Sequence, residues 1–270
     1  TGSLLAVPLG DHTDPELAAI LVHAMTHAWL HEPPAWLNEG VAAFLSSVWV
    51  EQHQGRERAL EMLEAQRSAL ALAEPSSPGE SAGEPLPRAT DPVYFRTKAA
   101  YVLWMLRDLA SDAALAHALQ ALAAMPPAAS RRDADLQDLL KQAGDPRDLA
   151  WFFADWVNAD KGLPDLAIDS VYPTLANAGS YLVAVTFSNS GYAAAEVPFT
   201  VRSNQTSITQ RILIPARGKV VRRLLIVGYP TQVQLNDGTV PEAQASIHVM
   251  HFDNKAPGNS SSSQIPGVPQ

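Results

Sequence analysis

The apolar positions Leu17, Ile20, Leu21, Ala24 and Ala28 recur at the three-and-four spacing of one helical face. Asp14-Pro15-Glu16 opens that stretch with proline and acid in the first turn, and Pro33-Pro34 stops it. A second helix is expected from Trp36 past Val50, extending toward Leu72. Residues 74–92, rich in Pro, Gly, Ser and Glu, read as a surface loop. A third helix is expected over Phe95–Leu109, with Leu103, Leu106 and Ala110 facing the core. Further helices are expected near 112–124, 133–143 and 147–157.

At about residue 162 the period changes from helical to alternating. Tyr181, Val183, Val185 and Phe187 alternate in one run, and Val197, Phe199 and Val201 in another. Similar runs begin at Leu166 and recur near 206–214, 219–227, 231–236 and 245–252. Asn189-Ser190-Gly191, Ala216-Arg217-Gly218 and Asn236-Asp237-Gly238 supply the turns between them. The pattern predicts a multidomain α and β protein: a mainly helical domain over 1–161, an antiparallel immunoglobulin-like β-sandwich over 162–253, and a flexible tail over 254–270. Leu4–Leu9 reads as a strand with no earlier strand to pair with, so an upstream sheet is expected to be missing or truncated.

Composition narrows the function classes. The chain has 270 residues, 47% of them apolar, which is ample for a buried core. Its formal charge of −9 argues against a nucleic-acid partner, and Arg222-Arg223 is too short a cluster to overturn this. No apolar run approaches the ~18–20 residues that span a bilayer. Cysteine is absent, so any zinc site must be built from His and carboxylate.

The chemistry gathers on the first two helices. His23 and His27 stand four residues apart, which turns a helix through about 400° and sets both imidazoles on one face. Glu39 follows the Pro-Pro turn, and a carboxylate from the second helix would complete a three-ligand zinc site with one position open. Gly40 and Ala42-Ala43 are read as letting the second helix pack closely on the first. Spacing alone is a weak signal, since His pairs on helix surfaces are common; the short turn and Glu39 strengthen it. His12, His53, His117, His248 and His251 lack companion ligands. His31 and Glu32 stand near the site, and Trp29, Trp36 and Trp49 read as core.

His23-x-x-x-His27-Ala28-Trp29, followed by Trp36-Leu37-Asn38-Glu39-Gly40, resembles the gluzincin metallopeptidases around the aminopeptidase-N family. That family shows H-E-x-x-H-x-W and then W-x-x-E-G. The resemblance covers roughly residues 4–110 and implies that His23, His27 and Glu39 bind Zn2+. It also implies hydrolysis of a peptide or protein substrate by metal-activated water. The family's general base follows the first His, and this chain has Ala24 there. Losing such a base typically costs about 10²–10⁴-fold in rate. The chain is therefore expected to bind zinc and peptide and to cleave poorly, whether Ala24 arose by deliberate Glu→Ala replacement or in a natural pseudo-peptidase. The family's Y-x-K-G segment, whose Tyr stabilises the oxyanion, is matched by Tyr94 and Lys98, with Tyr94 four residues before Lys98 instead of two and Ala99 in place of Gly. The element that reads a free amino terminus in the family is absent. A location outside the cytoplasm is expected.

Overall fold

A computed structural model describes residues 15–30, 33–75, 83–126, 135–144, 147–177, 179–244 and 246–252. Seven α-helices precede seven strands among them: α1 Pro15–Leu30, α2 Ala35–Gln54, α3 Arg56–Ala73, α4 Ala99–Ala110, α5 Asp112–Ala124, α6 Leu136–Gln142 and α7 Ala150–Phe153. The expected strand at Leu4–Leu9, His12, the His31-Glu32 pair and the tail over 254–270 lie outside the described residues.

The second helix is shorter than its sequence pattern predicts. Gly55 at φ 94° ends α2, its N–H bonded to the Glu51 carbonyl, and α3 starts one residue later. The left-handed conformation is open to glycine at little cost, and it folds α3 back along α2. The third helix also differs from expectation. Val93–Lys98 form a wide π-helical turn before α4 proper begins at Ala99. α4 is apolar on nearly every side, and it is the central helix, with Tyr101, Leu103, Trp104 and Leu106 fully buried. Trp104 donates to Ser47 Oγ at 2.8 Å, while the Arg56 and Arg107 guanidiniums lie 5.2 and 5.1 Å from its ring centre. Gly40 admits a different neighbour from the one the sequence suggests. A Cβ there would lie 2.5 Å from Ala99 Cβ, so the glycine brings α2 against α4, not α1. α1 is stitched to α2 by Ser46 Oγ, which donates to the Ala19 carbonyl at 2.8 Å.

After a last π-helical turn over Ala154–Asn158, the strands begin: β1 Leu166–Asn177, β2 Ser180–Asn189, β3 Ala195–Ser203, β4 Ser207–Ile214, β5 Lys219–Val227, β6 Pro230–Leu235 and β7 His248–His251. They form two antiparallel sheets, in the orders β1-β2-β5 and β4-β3-β6-β7. The alternation read from the sequence sets the register. Val183, Val185 and Phe187 of one sheet and Val197, Phe199 and Val201 of the other are buried, and Phe187 and Phe199 meet at 5.1 Å between ring centres. At two of the expected turns the chain takes positive φ, with Arg217 at 52° and Asn236 at 62°.

Helices and sheets share one continuous apolar core. Polar links reinforce the junction: Trp156 Nε1 donates to the Ala194 carbonyl at 2.9 Å, Arg56 reaches Asp237 at 3.2 Å, and Arg211 reaches Asp108 at 3.1 Å. These links tie the helices to the sheets, and α2 lies between α1 and α4. Among the described residues no helix is long and apolar enough to cross a membrane.

Candidate metal centre

One turn of α1 separates His23 from His27, so both rings leave the same side of the helix. α2 begins immediately after Pro33-Pro34, where the N–H groups of Leu37 and Asn38 both bond the Pro34 carbonyl at 2.9 Å. That start places Asn38 and Glu39 opposite the two histidines. His23 Nε2 and His27 Nε2 are 3.2 Å apart. Glu39 Oε2 lies 3.8 Å from His23 Nε2, and Oε1 lies 3.7 Å from His27 Nε2. All three side chains are half-buried, and their ligand atoms lie within 4.8 Å of one another.

The donor set fits a zinc ion. Tetrahedral bonds of about 2.0–2.2 Å separate neighbouring ligand atoms by roughly 3.3–3.6 Å; the two Nε2 atoms stand at 3.2 Å, each faces a different Glu39 oxygen at 3.7–3.8 Å, and a turn of the carboxylate brings one oxygen to both. The orientation of the rings fits as well. His27 Nδ1 donates to Asn38 Oδ1 at 2.9 Å, which leaves the Nε2 lone pair for a metal. The His23 ring is held below its ordinary pKa by burial, then by neighbouring His27 and by Arg96, against the opposing pull of Glu39. The lowered pKa of His23 favours the neutral imidazole that ligation requires.

Ala24, one residue after His23, offers no proton acceptor. Tyr94 is not brought into this group. Its hydroxyl donates to the Ala73 carbonyl at 2.6 Å, the residue is 4% exposed, and its pKa is raised by burial and by Glu74 and Asp160. The residue this segment delivers to the site is Arg96, whose Nε and Nη2 lie 3.0 and 2.9 Å from Glu39 Oε2. Arg96 stands two residues before Lys98, the spacing at which the resembled family carries its Tyr. Lys98 itself is fully buried, with Nζ 2.7 Å from both Glu74 and Asp160. Burial pushes the Glu74 carboxyl up to about 8.

Sequence reasoning missed Asn38 and Arg96 as site residues. Asn38 was detectable as the neighbour of Glu39 on a helix facing His27. Arg96 was detectable only from its distance to Lys98. A cavity of about 390 Å³ adjoins His23, walled by Ala19, Ile20, Val50 and Met62, with Gln54 and Arg58 at its rim. Of the remaining histidines, His53 stacks on Trp49 with ring centres 4.0 Å apart. His248 pairs with Glu242 at 2.8 Å, which raises its pKa, burial opposing.

No known family's sequence profile matches the chain, and no curated protein matches it in sequence. Among solved structures, the fold is similar to that of the aminopeptidase A of Legionella pneumophila, determined in complex with aspartic acid. The two share 14% identity at a TM-score of 0.58, over 84% of this chain and 26% of that one. The chain thus spans about a quarter of that protein's length, and the likeness is one of fold.

Proposed function

We propose that the chain carries a gluzincin-type zinc site, in which His23, His27 and Glu39 hold the ion and a peptide or protein segment is the ligand. The observation that carries this reading is the convergence of two Nε2 atoms and a carboxylate at 3.2–3.8 Å, from two adjacent helices. When bound there, zinc supplies a Lewis acid that polarises a carbonyl oxygen. The chain's own residues do the rest. Asn38 fixes the His27 tautomer, Glu39 contributes the only negative charge among the three ligands, and the cavity beside His23 accepts an apolar side chain. The likeness in fold to an aminopeptidase supports a peptide ligand.

Position 24 is where this site departs from a hydrolytic one. A methyl group at position 24 can neither take a proton from water nor return one to a leaving amine. The site as it stands binds without turning over, and the peptidase-type geometry is retained around a silent centre. The test is Ala24→Glu in the full chain, assayed with a broad library of fluorogenic peptides in zinc. Cleavage that appears with Ala24→Glu and vanishes with a chelator supports a peptidase-type centre. Zinc binding with no turnover in Ala24→Glu supports a site specialised for binding, and absence of zinc binding defeats both.

A further inference from the structure

Arg96 changes what the site can hold. Its segment is pinned on both sides: Tyr94 to the Ala73 carbonyl at 2.6 Å, Thr97 Oγ1 to Gln66 at 3.0 Å, and Lys98 to Asp160 at 2.7 Å. The backbone that carries Arg96 is therefore held in place, and its guanidinium meets Glu39. Two of its five N–H donors contact a single Glu39 oxygen. With 52% of the side chain exposed, its other donors are within reach of a ligand.

The charge balance decides the ligand class. Among the described residues at the site, two neutral imidazoles, one carboxylate and one guanidinium together with a divalent ion sum to two positive charges. A hydrolytic site of the resembled type would place a glutamate at position 24 and a neutral Tyr at the spacing of Arg96; both departures move the site toward positive charge. A neutral peptide carbonyl compensates none of this, whereas an oxyanion compensates it and accepts charge-assisted hydrogen bonds from the guanidinium.

We infer that this centre is an oxyanion receptor, in which Arg96 and the metal held by His23, His27 and Glu39 jointly bind a carboxylate or phosphate group of the ligand. The inference rests on the metal reading above. Arg96 is here a binding residue, and it also competes with the ion for Glu39 Oε2.

The test uses the full chain and calorimetric titrations of the wild type, Arg96→Gln and His27→Ala. Zinc is titrated first. The wild type and Arg96→Gln then receive acetyl-alanyl-leucine, its C-terminal amide, or inorganic phosphate, each with and without zinc. Zinc-loaded wild type is expected to bind at least one of the two anions about 10-fold or more tighter than the amide. Arg96→Gln is expected to bind zinc at least as tightly as the wild type and to lose about 10-fold in anion affinity, with the amide unchanged. Whichever anion shows the loss, dipeptide or phosphate, identifies the natural group. Equal binding of anion and amide, or undiminished anion binding in Arg96→Gln, overturns the inference and leaves the zinc reading standing. Zinc binding that is absent, or unaltered in His27→Ala, defeats the metal reading itself and this inference with it.

Discussion

Replacing Lys98 by Met tests how the segment that carries Arg96 is anchored. Among the described residues, Lys98 is the cation paired with two carboxylates whose side-chain exposures are 2% for Glu74 and 0% for Asp160. Methionine nearly preserves the volume of the stem, so the change removes charge with little loss of packing. Removing one partner of a buried ion pair typically costs about 3–5 kcal/mol, because the other charge stays desolvated. Against a total stability of about 5–15 kcal/mol, that is a large fraction. The cost has a pH signature. Burial already pushes Glu74 up to about 8 with Lys98 in place. Asp160 is held below its ordinary value because the Glu74 hydrogen bond and Lys98 outweigh its burial. Without Lys98, Asp160 joins Glu74 in favouring the protonated form. Lys98→Met should then be least destabilised near pH 5, and the gap to wild type should widen toward pH 8. Urea unfolding at several pH values, followed by tryptophan fluorescence, measures this directly. Lys98→Met/Asp160→Asn should recover much of the loss. A cost below about 1 kcal/mol, or one that does not change between pH 5 and pH 8, would refute the reasoning.

Glu74→Gln should gain stability relative to wild type as pH rises. In the wild type the folded state keeps a proton that the unfolded state releases near 4.5, so stability from this group is present below that value and is lost toward about 8; thermal melts from pH 5 to 9 check it. Gly40→Ala should lose about 1–3 kcal/mol by overpacking against Ala99, despite the better helix propensity of alanine, and Gly40→Ala/Ala99→Gly should restore most of it in chemical denaturation. Asn38→Leu should weaken zinc binding about 10–100-fold by freeing the His27 tautomer, with unfolding in chelator little changed.

The readable parts of this molecule are those where local pattern and tertiary environment agree. The alternation of Val183, Val185 and Phe187 is legible because one face of β2 meets solvent and the other meets the second sheet. His23, His27 and Glu39 are legible because helical spacing and a short turn are enough to bring them together. The break at Gly55 was hidden, since a lone glycine inside an apolar helical pattern reads as tolerated until its φ of 94° is known. Lys98 was hidden because lysine is almost never fully buried, and one of its partners, Asp160, is 62 residues away. Arg96 offered only its two-residue spacing from Lys98 as a signal. Its reach to Glu39 depends on the π-helical turn before α4, and on how closely Gly40 lets α2 approach Ala99.

The most direct test of the account is titration of the metal-free full chain with zinc, beside His27→Ala and Glu39→Gln. The account predicts one ion per chain in the wild type, and affinity reduced by about 100-fold or more in each variant, since each removes one of three protein ligands. Zinc binding that is absent from the wild type, or equal in all three proteins, would contradict it.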